Sequence, residues 1–167
     1  MYLPFDSMPG RSRLWVYQAS RAFTLAEKKY LQEGLTKLCD QWIAHGVPLQ
    51  TSFSIQWNQF VILAVDEVEN GASGCSIDSS VQYLQGLQQD LGLDFFDRTR
   101  VAFLQEEKVN IYPLTELKTL FENRTLTAET IAFNNVVTTK TEWINHWQVG
   151  VKDCWLIRYL PKIAVVE

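Results

Sequence analysis

The sequence predicts an α+β fold, a ferredoxin-like βαββαβ antiparallel sheet core with a C-terminal αβ extension. Two observations carry this. Between Leu14 and Gln105 the apolar pattern runs in the order strand, helix, strand, strand, helix, strand. The middle two strands are parted only by a short polar break at Asn58 and Gln59, which reads as a hairpin. Together they give the split βαβ arrangement, with both helices on one sheet face. One domain is expected over residues 1–167, with its core at about 12–106 and its extension at about 107–167.

Arg13 to Ala19 is apolar on both alternating faces (Leu14 and Val16; Trp15 and Tyr17), as a central strand is. Thr24 and Glu27 form a capping box, in which the hydroxyl caps an early helical N–H and the carboxylate reaches back. Leu31, Leu35, Leu38 and Trp42 follow at helical spacing, and Gly46 and Pro48 are expected to stop that helix. Phe53, Ile55 and Trp57 alternate with polar residues, the pattern of a half-exposed edge strand. Phe60 to Val65 is a solid apolar run. A second helix puts Ile77, Val81, Leu84, Leu87 and Leu91 on one face and ends at Gly92. Val101 to Gln105 is the fourth strand. Beyond it come a short strand near Val109 to Tyr112, a helix near Leu114 to Glu122 and a strand through Thr130 to Val137. A helix with a second capping box, Thr139 and Glu142, follows. This last third is expected to cover the open sheet face.

A hydrophobic content of 47% in 167 residues is enough for a substantial core, and the six tryptophans belong mainly to it. The net charge of −4, without a cluster of Lys and Arg, argues against nucleic acid, whose binders need a basic footprint. No apolar run approaches the ~20 residues that span a bilayer, and Met1 to Gly10 does not read as a signal peptide. The three cysteines are widely spaced, which suits neither a disulfide framework nor a zinc site. Free thiols in a reducing cytoplasm are expected, with no metal and no cofactor. Asn123-Arg124-Thr125 matches a glycosylation sequon, a coincidence without secretion.

The most informative stretch is Asn70 to Asp78, a strand-to-helix loop with Cys75 at the mouth of the helix. Unpaired helical N–H groups there favour a thiolate. Gly71 and Gly74 would let the backbone turn sharply or approach a ligand. In a ferredoxin-like core His45, Asp66 and Cys75 converge at one sheet edge, with Arg11 and Arg13 nearby. A Cys–His pair oriented by a carboxylate is a nucleophile arrangement. The alternative is structural: His45 serves the helix C-terminus and Asp66 is a strand-end residue. Ser76 and Asp78 read as ligand contacts or, more simply, as an N-cap and a first-turn carboxylate. Asn134 and Asn135, in an apolar strand pattern, are ligand contacts or structural hydrogen-bonding residues. The acidic loop from Asp66 fails as a calcium loop, because Val68 and Ile77 occupy ligand positions.

Trp15-Val16-Tyr17-Gln18-Ala19, Trp42-Ile43-Ala44-His45-Gly46 and Gly74-Cys75-Ser76-Ile77-Asp78, with Phe133-Asn134-Asn135 and the Trp143 to Trp147 segment, carry a likeness over the whole chain. It resembles a family of short uncharacterised Bacteroidetes proteins often labelled "ABC transporter ATPase". The label implies a glycine-rich loop ending in Lys and Ser or Thr, the lysine on the terminal phosphates and the hydroxyl on magnesium. Neither Gly-Lys-Ser nor Gly-Lys-Thr is present. The residues do not support the label.

Two functions follow. The first is a cytoplasmic domain that binds a small molecule or a protein, without ATPase activity, and that pairs as a homodimer through the edge strand ending at Trp57. The second is a cysteine-dependent hydrolase or acyl transferase, with Cys75 as nucleophile and His45 as base.

Overall fold

The computed structural model describes residues 1–68 and 70–162. They form an α+β protein with two compact units, Met1–Asp97 with Asn135–Ile144, and 98–134 with 145–162.

In the first unit, β1 (Arg13–Gln18) leads to α1 (Leu25–Gln41). The start of α1 is set by a reciprocal box: the Glu27 N–H donates to Thr24 Oγ1 at 3.2 Å, and the Thr24 N–H donates to Glu27 Oε2 at 2.9 Å. The helix stops at Gln41, before the expected Gly46 and Pro48. A small hairpin follows instead, β2 (Ile43–Ala44) and β3 (Val47–Pro48), turning at His45 (φ 52°) and Gly46 (φ 77°). Two successive left-handed residues are what a tight hairpin turn requires, and Gly46 adopts that conformation without Cβ strain.

Next come β4 (Gln50–Gln56), β5 (Phe60–Asp66) and α2 (Gly74–Leu91). The sheet order is β1-β5-β4, and β5 is antiparallel to both neighbours, with Val65 opposite Arg13 on one side and Thr51 on the other. Buried along its whole length, β5 shows why its sequence is unbroken by polar residues. Val61, Leu63 and Val65 share one core with Leu31 and Leu35 of α1 and Leu84 and Leu87 of α2. Each such side chain contributes roughly 1.5–3 kcal/mol when fully withdrawn from water.

The fourth strand expected beside β1 is not there. The outer edge of β1 meets the segment after residue 134: the Leu14 N–H donates to the Thr138 carbonyl at 2.8 Å, and Arg13 stands opposite Thr139. Two further contacts anchor this unit's ends. Residues 1–3 run along part of the outer edge of β4, with the Leu3 N–H on the Thr51 carbonyl at 2.8 Å. The buried Lys140 ammonium donates to the carbonyls of Phe5, Asp6 and Met8 at 2.8, 3.1 and 2.7 Å, which saturates its three donors.

Val101 to Gln105 lies in the second unit, in β6 (Arg100–Gln105), which pairs with β7 (Lys108–Pro113). Their turn, Glu106 (φ 50°) and Glu107 (φ 61°), has the two left-handed residues of a short hairpin. The strand near Val109 to Tyr112 is where the sequence places it, but a Glu-Glu pair does not advertise such a turn, so its pairing with β6 was not legible. After α3 (Leu117–Glu122), β8 (Ile131–Phe133) ends before Asn134, shorter than the expected strand. Helix α4 (Lys140–His146) precedes β9 (Gln148–Gly150). Glu142 donates its N–H to Thr139 Oγ1 at 3.2 Å, but its carboxylate takes the N–H of Thr138, at 2.8 Å. The second sheet has the order β7-β6-β8-β9, over a core of Phe103, Leu117, Phe121, Leu126 and Leu156. No helix among the described residues is long and apolar enough to cross a membrane.

Candidate functional site

The loop from β5 to α2 is built by charge pairing at its start and capping at its end. Asp66, 8% exposed, takes both prongs of the Arg11 guanidinium, Nε at 3.2 Å and Nη2 at 3.0 Å. Arg13 lies over the Trp15 ring and pairs with Glu67 at 3.5 Å. Glu67 also accepts the Ala72 N–H at 3.1 Å. Ser73 caps α2, its Oγ accepting the Ser76 N–H at 3.2 Å. The N-cap is therefore Ser73, not Ser76. Asp78 accordingly falls beyond the first turn. Ser76 is buried and donates its hydroxyl to the Ser73 carbonyl at 2.8 Å.

Gly71 and Gly74 do not take left-handed conformations. A Cβ at Gly74 would meet nothing within 4 Å, so neither a tight turn nor a close approach explains that glycine. Cys75 is exposed on the first turn of α2, and His45 is exposed at the tip of the β2–β3 turn. The segments that carry them are stitched together by neighbours. The Asn70 side-chain amide donates to the carbonyls of Ala44 and Val47 at 3.1 and 3.3 Å. Among the described residues no hydrogen bond joins Cys75, His45 and Asp66 to one another, and the Asp66 carboxylate is held by Arg11.

Asn134 and Asn135 each donate one side-chain hydrogen bond within the protein. The Asn134 amide donates to the His146 carbonyl at 3.3 Å while its Oδ1 is buried without a partner among the described residues. The Asn135 amide donates to Gln18 Oε1 at 3.1 Å. No group of three or more His, Cys, Asp and Glu among the described residues could hold a metal ion.

The thiols differ by burial. Desolvation pushes the Cys39 thiol up to about 12 and raises that of Cys154.

A different concavity is the better developed feature. Helices α1 and α2 run antiparallel, joined at one end by Tyr30, whose hydroxyl donates to Asp90 at 3.2 Å, and at the other by the Trp42 indole N–H on the Ser76 carbonyl at 2.8 Å. Between them lies a half-open groove of about 530 Å³. Leu38, Trp42 and Ile43 supply apolar wall, and Lys37, Ser79 and Tyr83 supply polar groups. Gly34 makes room for the Tyr83 hydroxyl, which a Cβ there would overlap. Burial raises the pKa of that phenol. Cys75, Ser79 and Tyr83 recur every fourth residue on α2, so the candidate cysteine shares the helix face that lines the groove. The signal available in the sequence was Gly34, a helix-interior glycine that costs about 1 kcal/mol relative to Ala unless packing requires it.

Comparison of the chain with family models, with curated proteins and with solved structures gives no match.

Proposed function

We propose that this chain is a cytoplasmic binding domain without ATPase activity, and that its ligand occupies the groove between α1 and α2. The observation that carries the reading is the groove itself, whose volume of about 530 Å³ falls in the range of small-molecule sites. Its lining mixes Leu38, Ile43, Tyr30 and Tyr83 with the polar side chains of Glu33, Lys37, Gln41 and Ser79, so apolar surface and orienting groups are both at hand. The order and antiparallel directions of β1, β5 and β4 support a ferredoxin-like reading of the first unit, and the lack of Gly-Lys-Ser or Gly-Lys-Thr in the sequence supports one without ATPase activity. Homodimer pairing along β4 has only Phe53 to Gln56 to work with, because residues 1–3 run beside Thr51. The cysteine-enzyme alternative draws no support from Asp66, which Arg11 holds.

The uncharged fluorophore N-phenyl-1-naphthylamine tests the reading. Saturable binding at one site is expected, lost in Ser79→Trp, which places an indole in the groove while α2 stays helical by circular dichroism. Binding that survives this change undiminished, or no saturable binding to the parent protein, overturns the groove as the ligand site.

A further inference from the structure

We infer that this chain self-associates through β7, two copies pairing antiparallel about a two-fold axis at Asn110. This edge belongs to the second unit, and the pairing is independent of what the groove binds.

Among the described residues β7 stands at the end of its sheet, with β6 as its strand neighbour. The turn at Glu106 and Glu107 makes Gln105 and Lys108 a hydrogen-bonded pair, from which an antiparallel ladder alternates. Lys108, Asn110 and Tyr112 therefore turn their backbone groups toward β6. The Leu114 N–H continues the series, donating to the Thr99 carbonyl at 2.8 Å. Val109 and Ile111 turn theirs outward, and among the described residues no backbone group meets them. Two N–H and two carbonyl groups left unpaired along one edge are a template for another strand.

The register selects a second copy as that strand. Antiparallel pairing centred on Asn110 sets Val109 of each copy opposite Ile111 of the other, and uses all four outward groups of both. Centring on Val109 would pair Ile111 with Glu107, whose backbone is left-handed (φ 61°). Centring on Ile111 would pair Val109 with Pro113, which has no N–H. The side chains suit the same register. Val109 and Ile111 make a β-branched cross-strand pair, and Lys108 faces the Tyr112 ring. At the axis each Asn110 amide donates one N–H to Gln105 Oε1 at 3.0 Å, and its second N–H can meet the other copy's amide oxygen. The ends match in charge. Glu107 falls beside Pro113 of the other copy, in the cross-strand row that Arg100 continues, and both charged residues are exposed. A parallel alignment would instead set the two acidic turns side by side.

Sedimentation equilibrium of the full chain tests this pairing. A reversible monomer–dimer equilibrium is expected below about 1 mM, since a single strand pair makes a small interface. Ile111→Pro takes two hydrogen bonds from each dimer and none from the monomer, so it should weaken association roughly tenfold or more. Val109→Lys, which leaves the backbone groups in place, should also weaken it. Circular dichroism shows which variants keep their fold. In a Cys75→Ser background and under air, Asn110→Cys should form a disulfide-linked dimer, because the two Cα atoms lie about 4.5 Å apart. Tyr112→Cys should not. A monomer throughout that range, or a dimer that either folded variant leaves undiminished, overturns the pairing. So does crosslinking no faster through Asn110→Cys than through Tyr112→Cys.

Discussion

The indole N–H of Trp42 donates to the backbone carbonyl of Ser76 at 2.8 Å, across 34 positions of sequence. This buried bond ties the residue that caps α1 to the first turn of α2. It holds one end of the groove and ties the residue before the His45 hairpin to the turn of α2 that carries Cys75.

Trp42→Phe keeps a ring in the core but removes the donor, so it should lower stability by about 1 kcal/mol, the net worth of one hydrogen bond. Trp42→Ala should cost about 3–5 kcal/mol through the cavity it leaves. Urea unfolding of the two variants checks the split. No loss in Trp42→Phe beside a full loss in Trp42→Ala would show that the indole acts through packing alone.

At Gly34 the usual sign of a helix substitution should reverse. Gly to Ala in a helix interior ordinarily gains about 1 kcal/mol. Here the new methyl meets the Tyr83 hydroxyl, so Gly34→Ala should be neutral or destabilising. In a Tyr83→Phe background, with that oxygen gone, the same change should recover part of the gain. A double-mutant cycle reads the coupling between the two positions. Additive effects would mean that the contact is relieved by a shift of the ring.

The three thiols should alkylate in the order Cys75, Cys154, Cys39. Cys75 is exposed, Cys154 is half-buried with a raised pKa, and Cys39 is buried with its pKa pushed to about 12. Iodoacetamide labelling of the native protein, followed by peptide mass spectrometry, gives the order. If His45 activates Cys75, His45→Ala will slow that site at neutral pH; the enzyme reading needs this slowing, and an unchanged rate removes it.

Stability should fall as pH drops from about 4.5 toward 2 in part through Glu27. Its bonds from Arg21 and from the Thr24 N–H lower its folded pKa to about 2, from an ordinary value of 4.5. A depressed carboxyl pKa stabilises the fold above the unfolded value, and that contribution is lost as acid protonates the folded group. Glu27→Gln should flatten this part of the profile. An unchanged acid limb in urea titrations would assign the loss to other carboxylates.

Lys140→Met removes a buried ammonium that three carbonyls surround, so it should destabilise the protein by about 3 kcal/mol. Protease cleavage within residues 4–9 should quicken with it. Unaltered cleavage would show that Phe5 against Trp143 is sufficient to hold the segment.

Much of the local structure was legible because its causes are local. The Thr24 box and the unbroken apolar run of β5 declare themselves within a few residues, whereas β1, apolar on both faces like a central strand, stands at the end of its three-stranded sheet with only Leu14 buried. The N-cap of α2 was misplaced by three positions because Ser73 and Ser76 both suit the role, and only the backbone geometry tells them apart. The end of α1 was misread because Gly46 serves a hairpin turn as well as it would serve a helix terminus.

The order of strands and helices through the first unit is written in hydrophobic period, since each amphipathic element must turn its apolar face to a common core. Which strands share a sheet is not written there. Backbone hydrogen bonds carry no side-chain identity, so the edge beside β1 could accept Val101 to Gln105 or the segment at Thr138 equally well by pattern. Local closure at Glu106 and Glu107 gave β6 its partner in β7. The groove belongs to the same category: Tyr30, Lys37, Trp42 and Tyr83 are ordinary helix residues in one dimension. They line a groove only when α1 and α2 pack antiparallel and Gly34 lets the Tyr83 hydroxyl approach.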